Sequence, residues 1–187
     1  MDESDIEDIE KLEELKETPM DDGEIKSILP NVKIIKYSEL KNYNNINQLL
    51  PKVKDHIIIL FENSPNNGHW TALLRPHKNE IEFFDSYGNN DVDILNWIPK
   101  RDNINLGVSE PYLRNLLKKS GYKCYYNTTQ YQSKNSDIAS CGRHCAFRIK
   151  CMLKGNQNLK DYHNFMNNLK KKTGLSFDDI VSGVINK

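Results

Sequence analysis

The sequence predicts an α+β fold in which a small mixed β-sheet is flanked by helices. Three apolar runs, at residues 56–62, 69–75 and 80–86, follow one another closely, as neighbouring strands do. Beyond them, the apolar residues recur at the longer period of helices. A chain of 187 residues is also long enough to bury one substantial core. We therefore expect one main domain that contains both the sheet and the helices.

The first two of these runs have the pattern of central strands. HIIILFE and HWTALLR are apolar at consecutive positions rather than at alternate ones, which is typical of strands covered on both faces. The intervening loops, NSPNNG and PHKN, are rich in turn formers and short enough to join antiparallel neighbours. VKIIKY at residues 32–37 and a β-type run at residues 122–126 are the remaining strand candidates.

Four helical patterns follow the strands, at residues 109–121, 141–154, 159–172 and 176–185. Ser109 is the expected N-cap of the first helix and Gly121 its expected stop. Ser176 and Asp179 have the spacing of a capping box at the start of the last helix.

The helix at residues 141–154 is expected to be buried. With a rotation of about 100° per residue, its apolar side chains gather on one side: Cys145, Ala146, Ile149, Met152 and Leu153. Cys141 lies near the edge of this stripe, and Gly155 is the expected stop. His144 and Cys151 point well away from the stripe, so we expect His144 to be an ordinary exposed or supporting residue.

The first 24 residues form an acidic arm. They include twelve acidic residues and two lysines, a net charge of −10, whereas the rest of the chain carries 24 basic and 14 acidic residues, a net charge of +10. A short amphipathic helix that ends before Thr18 is predicted from four apolar residues, Ile6, Ile9, Leu12 and Leu15. PMDDGE then has the composition of a linker. We divide the chain into this helical arm and linker, residues 1–24, and a domain of residues 25–187.

Composition excludes several functional classes. The longest apolar run, Ile57–Phe61, is far too short to span a membrane, and the acidic start is unlike a signal peptide. Four irregularly spaced cysteines favour chemistry or burial in a reducing compartment over a disulfide framework. A basic body is compatible with nucleic-acid binding, but we favour the simpler interpretation of a solvated lysine-rich surface. Two roles stay open for the acidic arm: inhibition of the domain, and docking to a capsid protein or another partner.

The stretch SCGRHCAFRIKC carries Cys141, Cys145 and Cys151 together with His144, and it first suggests a metal site. A structural zinc site needs a second pair of ligands, which the sequence does not offer, and helical geometry keeps these four side chains from converging. No Cys-x-x-Cys pair indicates a redox site. We therefore expect no metal and no cofactor.

Cys141 is the candidate nucleophile. At the N-terminus of a helix, free amides and the helix dipole favour thiolate over thiol. The following Gly142 lets a substrate backbone approach closely. The other three cysteines, Cys124, Cys145 and Cys151, are interpreted as small buried side chains.

A thiolate nucleophile needs a base, and the base needs an orienting partner. His69 begins one predicted strand and Asp85 ends the next, so a hairpin would bring the two side chains within hydrogen-bonding distance. The loop before Cys141 contains Gln130 and Gln132, either of which could supply a side-chain amide to the oxyanion of an acyl-transfer site.

The order His69-Trp70, Asp85-Ser86, Gln132, Cys141-Gly142 resembles that of the cysteine proteases of the adenovirus-protease (adenain) and SUMO-protease clan. Over about residues 30–155, the chain looks closest to the adenain-like maturation proteases of virophages, polinton-type elements and large double-stranded DNA viruses. The resemblance implies an adenain-like fold with the catalytic cysteine at the N-terminus of a buried helix.

The resemblance also implies the residue roles. His69 would be the general base, Asp85 its orienting acid, Cys141 the nucleophile and Gln132 the oxyanion donor. Trp70 would wall a narrow tunnel for small-residue, often Gly-Gly-like, cleavage sites, with Gly142 beside it. The separation of nine residues between Gln132 and Cys141 is longer than the six or seven usual in the clan, so Gln130 stays open as the oxyanion donor.

The function so implied is that of a thiol endopeptidase which cleaves viral capsid or core precursor proteins during virion maturation. We expect a monomer that is active in the host cytoplasm at the site of virus assembly and in the virion, without membrane association. An activating DNA or peptide stays open. The enzymatic alternative is a deubiquitinase or deSUMOylase-type isopeptidase, and the non-enzymatic one is a basic scaffold or nucleic-acid-binding protein. The SUMO-protease element that grips a ubiquitin-like substrate is absent from this sequence, which favours maturation.

Overall fold

The computed structural model describes residues 3–97 and 99–186, without the side chains of residues 3–6, 100 and 101. The predicted side chain of Ile6 in the acidic arm therefore lies outside the described part. Within that part, none of the helices is both long and apolar enough to cross a membrane.

A five-stranded mixed sheet forms the centre of the molecule, which confirms the predicted α+β class. Its strands follow one another in chain order: β1 (Lys33–Lys36), β2 (His56–Ser64), β3 (Asn67–Leu74), β4 (Glu80–Phe84) and β5 (Lys123–Tyr126). The inner pairs β2–β3 and β3–β4 are antiparallel, and the outer pairs β1–β2 and β4–β5 are parallel. The five strand predictions are thus confirmed to within a few residues.

Helices surround this sheet. In chain order they are α1 (Glu3–Glu17), α2 (Asp22–Ile28), α3 (Asp91–Leu95), α4 (Lys100–Asn105), α5 (Tyr112–Ser120), α6 (Cys141–Gly155), α7 (Leu159–Thr173) and α8 (Phe177–Val184). Two short 3-10 helices, Tyr37–Asn42 and Ile46–Gln48, lie between β1 and β2. The predicted capping box of Ser176 and Asp179 is present at the start of α8.

The sheet is buried on both faces, as consecutive apolar residues in β2 predict. Ile58 and Leu60 point into a core formed with helices α2, α6, α7 and α8. Their neighbours Ile57, Ile59 and Phe61 point into a second core, formed with the 3-10 helices, α3 and α5. One face of the sheet therefore carries the helix that begins at the candidate nucleophile.

The predicted linker after the acidic helix is shorter than expected. Asp21 and Glu24 form a capping box, so the chain turns into α2 at Asp22 and the predicted domain boundary after residue 24 falls inside this helix. Residues 18–21 remain as a short strap between α1 and α2.

The predicted N-cap of the helix after the strands is wrong, because α5 begins three residues later than Ser109. The hydroxyl group of Tyr37 lies at this helix start, where it donates to the carbonyl oxygen of Glu110 (3.2 Å) and accepts from the backbone N–H of Leu113 (3.4 Å). A side chain from another part of the chain thus does the work of a local cap.

Candidate active site

Cys141 is the first residue of α6, and its side chain is almost completely buried. No side chain caps the N-terminus of this helix. The backbone N–H groups of its first turn are therefore free of a capping acceptor, and their partial positive charge lies next to the thiol.

His69 lies in β3, opposite Phe61 of β2. The preceding Gly68 permits a close approach of the two strands, since a Cβ atom there would lie 2.0 Å from the carbonyl oxygen of Phe61. The strands are further distorted by a bulge next to this pair, between Glu62 and Ser64. Backbone geometry that only glycine tolerates thus places His69 at the end of the sheet.

Asp85 follows β4 and is completely buried. Its Oδ1 lies 2.5 Å from Nε2 of His69, and its Oδ2 accepts hydrogen bonds from the backbone and side-chain N–H groups of Asn89, both at 2.9 Å. The turn that provides these groups includes Gly88, whose φ of +79° lies in the left-handed region. The turn that follows Asp85 therefore holds its carboxylate in the orientation that binds the imidazole.

The structure brings Cys141, His69 and Asp85 into one electrostatic unit. Burial alone would lower the pKa of His69, but the hydrogen bonds and charges of Asp85 and Cys141 outweigh it and raise that pKa to about 10. Burial alone would raise the pKa of Cys141, but His69 and the backbone N–H groups of Trp70 and Gly142 hold it below its ordinary value. At neutral pH this arrangement favours a thiolate–imidazolium pair.

Asp85 remains ionised in this unit. Its burial acts to raise its pKa, but the hydrogen bond and charge of His69, together with the bonds from Asn89, lower it below the ordinary value. With Nε2 of His69 bound to this carboxylate, the other ring nitrogen is left for the thiol.

Gln132 lines the same cleft as Cys141. The hydroxyl group of Ser86 donates to its Oε1 (2.7 Å), and its Nε2 donates to the carbonyl oxygen of Ile138 (3.1 Å). An amide nitrogen carries two hydrogens, so one donor remains for an oxyanion. Gln130 is exposed, and its amide nitrogen donates to the backbone carbonyl of Gln132. Of the two glutamines, the structure places Gln132 beside the cysteine.

Trp70 lines the cleft and is almost completely buried, because the strap of residues 18–21 packs on its indole ring. Its indole N–H donates to the carbonyl oxygen of Met20 (2.9 Å). The side chains of Met20 and Trp70 both approach Gly142 so closely that a Cβ atom there would lie 3.1 Å and 3.3 Å from them. The predicted wall residue therefore forms a wall together with the strap.

Two further bonds fasten the strap and the end of α1 to the site. The guanidinium group of Arg143 donates to the carbonyl oxygen of Thr18 (2.7 Å). The backbone N–H of Ala139 donates to the carbonyl oxygen of Lys16 (2.8 Å). Lys16 also forms an ion pair with Asp179 of α8 (2.8 Å). The acidic arm is thus an integral part of the cleft.

An aromatic cluster covers the outer side of His69. The ring of Tyr87 stacks on the imidazole with a centroid separation of 5.0 Å, and the ring of Trp97 lies 5.8 Å from it. Trp97 remains 48% exposed. These two side chains, with the strap and the strand ends, enclose a cleft of about 570 Å³.

The remaining cysteines lie outside this unit. Burial raises the pKa of Cys145 and Cys124, and it raises that of Cys151 to about 11. Among the described residues, no group of three or more His, Cys, Asp or Glu side chains could hold a metal ion. Of the two expectations for His144, exposure is wrong and a supporting position is found, because this residue is completely buried and bonded to Asp178 of α8 (2.9 Å).

Sequence reasoning missed several residues that build the site. Asn89 and Gly88 belong to a turn-forming stretch directly after Asp85, and this composition could have been used to predict a supporting turn. Met20, Trp97 and Asp178 have no comparable local signal, because each reaches the site only through contacts with distant parts of the chain.

Comparison with known proteins relates the chain to a virophage protein. The chain is 36% identical over 127 residues to V9, an uncharacterized protein of the Sputnik virophage, in an alignment that covers 67% of this chain and 72% of that protein. No protein-family model and no solved structure matches the chain. The alignment therefore spans most of both proteins.

Proposed function

The chain belongs to the same family as protein V9 of the Sputnik virophage, and from this premise and the geometry of the cleft we propose that it is a viral cysteine endopeptidase. The observation that carries the proposal is the buried unit of Cys141, His69 and Asp85, in which the thiol is activated and the imidazole is oriented. This unit has the parts that acyl transfer by a thiol requires.

In the proposed reaction, the thiolate of Cys141 attacks the scissile carbonyl carbon. The resulting oxyanion accepts hydrogen bonds from the amide of Gln132 and from the backbone N–H of Cys141. Collapse of this intermediate breaks the carbon–nitrogen bond, and the imidazolium of His69 gives its proton to the leaving amine. Water, deprotonated by the now neutral imidazole, then attacks the acyl carbon, and cleavage of the carbon–sulfur bond releases the carboxylic acid product and restores the thiolate–imidazolium pair.

The proposed substrates are capsid or core precursor proteins that are cleaved at small residues, such as Gly-Gly-like sites, during virion maturation. Trp70 and Met20 support this preference, since they line the cleft together with Cys141, and bulky side chains next to the nucleophile leave little space for a large substrate residue. The virophage relative supports a viral substrate, and the resemblance to the adenain clan supports maturation at the assembly site and in the virion.

Co-expression with the capsid precursor of the same virus tests the proposal. We expect cleavage at a small-residue site by the wild-type protein, and loss of cleavage by at least about a thousandfold in Cys141→Ala. Cys151→Ala is the matched control, because this thiol lies on the same helix outside the cleft, and it should cleave normally. Cleavage that survives Cys141→Ala would contradict the assigned nucleophile.

A second measurement separates the proposed function from isopeptidase activity on host conjugates. Ubiquitin and SUMO carrying a C-terminal propargyl group react with the active cysteine of enzymes that accept these proteins. We expect no labelling of Cys141 by either probe, and rapid labelling of Cys141 by one of them would favour an isopeptidase.

A further inference from the structure

A second buried carboxylate lies behind the proposed site and takes no direct part in the chemistry described above. Asp178, in the first turn of α8, is 4% exposed and accepts three hydrogen bonds. Its Oδ1 accepts from the hydroxyl group of Ser140 (2.5 Å) and from Nε2 of His144 (2.9 Å). Its Oδ2 accepts from the backbone N–H of Ser133 (2.9 Å).

The partners of Asp178 have a distinctive position in the chain. Ser133 directly follows Gln132, and Ser140 directly precedes Cys141. The carboxylate therefore binds both ends of the loop that separates the proposed oxyanion donor from the proposed nucleophile. His144, one turn further along α6, ties the same carboxylate to the helix that carries the thiol.

Apart from Asp178, the loop of residues 133–140 is held near its C-terminal end, where the backbone N–H of Ala139 donates to Lys16 and the carbonyl oxygen of Ile138 accepts from Gln132. Residues 133–137 are exposed, and the side-chain bonds within the loop are short-range ones, such as those of Asn135 with Asp137 and with Ser133. Loops of this kind are the mobile parts of a fold unless a buried group fixes them. Asp178 is such a group.

The charge of Asp178 suits this role. Burial acts to raise its pKa, but the bonds from His144, Ser140 and Ser133 outweigh it and hold the pKa below the ordinary value. The side chain is therefore an ionised acceptor at neutral pH, and hydrogen bonds to an ionised acceptor are stronger than those between neutral groups.

We propose that Asp178 is a positioning residue for acyl transfer, which holds the amide of Gln132 at a fixed place relative to the sulfur atom of Cys141. The inference rests on the proposed function, since it concerns the oxyanion of that reaction. Helix α8 would then influence the reaction rate indirectly, because Asp178 binds the two ends of the loop between Gln132 and Cys141.

Two small reagents distinguish positioning of the oxyanion donor from activation of the thiol. In its reaction with p-nitrophenyl acetate, the thiolate attacks the carbonyl carbon, an oxyanion forms, and p-nitrophenolate leaves as the acetyl thioester is made. In its reaction with iodoacetamide, the thiolate displaces iodide at a saturated carbon, and no oxyanion forms. Loss of the oxyanion donor should therefore slow the first reaction and spare the second.

The test compares Asp178→Asn with wild type in the full-length protein. Asparagine keeps the shape of the side chain but replaces one acceptor oxygen with a donor. We expect acylation of Cys141 by p-nitrophenyl acetate to slow by roughly tenfold to a hundredfold. The rate of alkylation by iodoacetamide should stay within about twofold of wild type, and the pH midpoint of this reaction should not shift. Gln132→Ala should show the same pattern.

Asp161→Asn is the matched control. Asp161 is also a carboxylate in the first turn of a helix, in the capping box of α7, and it lies outside the cleft. This variant loses a similar helix-terminal charge and should react normally with both reagents. Any effect of the charge on helix stability alone would appear equally in the control.

Ser140→Ala provides a second variant with a smaller change, which keeps the inference testable if Asp178→Asn does not fold. It removes one of the three bonds to Asp178 and changes no residue of α8. We expect a smaller loss of acylation, about threefold to tenfold, with unchanged alkylation.

Each outcome has a definite meaning. Normal acylation in Asp178→Asn, or in Ser140→Ala if the first variant does not fold, overturns the inference. An equal loss of acylation and alkylation also overturns it, because the effect would then concern the thiol or the whole fold. If wild-type Cys141 itself is not acylated, the proposed function fails, and the inference fails with it.

Discussion

At the residue scale, the proposed reactivity of Cys141 depends on a partner that is itself supported. The carboxylate of Asp85 favours the protonated form of His69, and the imidazolium in turn favours the thiolate. Because the pKa of Cys141 is lowered, its thiolate persists as the pH falls through the ordinary range of thiols, and it is lost only below the lowered value.

Replacement of Asp85 tests this dependence. In Asp85→Asn, the pKa of His69 should fall and that of Cys141 should rise, because the imidazolium loses its charged partner. We expect the midpoint of iodoacetamide alkylation to move upward by about one pH unit or more, with a roughly tenfold lower rate below the midpoint. Mass spectrometry of the alkylated protein between about pH 4 and 9 measures both quantities.

The control for this variant is Asp93→Asn, which changes an exposed carboxylate on α3 outside the aromatic cluster. Its alkylation profile should match that of the wild type. An unchanged midpoint in Asp85→Asn would show that this carboxylate does not control the protonation of Cys141 and His69.

Trp97 is a second residue with a testable role. An aromatic ring that lies over the imidazole and still exposes 48% of its surface can bury further area against a bound peptide. In Trp97→Ala we expect KM for the capsid precursor to rise by about threefold to tenfold, with a nearly unchanged rate of iodoacetamide alkylation. Steady-state kinetics on the precursor measure the change.

Ile104→Ala is the matched control for Trp97, since Ile104 is 71% exposed on α4 and does not line the cleft. It should leave KM unchanged. An equal effect of the two substitutions would argue against a specific contact between Trp97 and the substrate.

At the element scale, the acidic arm has a different meaning from the one its composition suggests. Its helix α1 packs on α8 next to Gly183, and the strap that follows covers Trp70 and accepts a bond from Arg143. Leu12 and Leu15 are partly buried, whereas Ile9 of the predicted stripe is 50% exposed. The arm is thus held mainly by its C-terminal end, where Lys16 meets Asp179.

Removal of the arm should therefore slow the proposed reaction rather than accelerate it. A variant that lacks residues 1–21 leaves the indole N–H of Trp70 and the guanidinium of Arg143 without their carbonyl partners. Each unpaired buried group costs about 1–3 kcal/mol, so we expect a less ordered cleft and slower acylation of Cys141 by p-nitrophenyl acetate. Stopped-flow absorbance of released p-nitrophenolate measures the rate.

A shorter deletion, of residues 1–10, is the control, because it keeps Lys16 and the complete strap. This variant should react at the wild-type rate. Faster acylation after removal of residues 1–21 would instead support an inhibitory arm.

At the scale of the whole molecule, a buried ion pair joins the two halves of the proposed site. Arg148 of α6 makes a bidentate contact with Glu82 of β4, at 2.7 Å and 2.6 Å, and both side chains are almost completely buried. One partner lies on the helix that begins at Cys141, and the other lies on the strand that leads to Asp85. The pair thus fixes the helix to the sheet across the core.

Glu82→Gln should be strongly destabilising, since it leaves the guanidinium of Arg148 buried without a charged partner. We expect the free energy of unfolding to fall by about 3–5 kcal/mol, measured by urea denaturation. Glu80→Gln, on the same strand but half-buried, should cost less than about 1 kcal/mol.

The double variant Glu82→Leu with Arg148→Met should recover much of the lost stability, because well-packed apolar residues replace a buried pair at little cost. If the double variant is no more stable than Glu82→Gln, the loss would come from packing rather than from the unpaired charge.

Much of the fold was predictable from local pattern. The strands and helices have apolar periods that depend only on near neighbours along the chain, and α7 and α8 begin at capping residues visible in the sequence. His69, Asp85 and Cys141 could be proposed in advance because strand ends and helix starts place side chains predictably. The start of α5 could not be predicted, because the group that caps its N-terminus is the hydroxyl of Tyr37, which is distant in the chain.

The sequence by itself therefore determined the class of fold, the order of its elements and the residue types available for thiol chemistry. Only the tertiary structure decided which glutamine lies beside Cys141, what covers Trp70, and that Asp178 binds both ends of the loop before the nucleophile. The physical reason is distance along the chain. Periodicity and capping arise between neighbouring residues, whereas the hydrogen bonds of Trp70 and Asp178 join residues 38, 45 and 50 positions apart and form only when the core is packed.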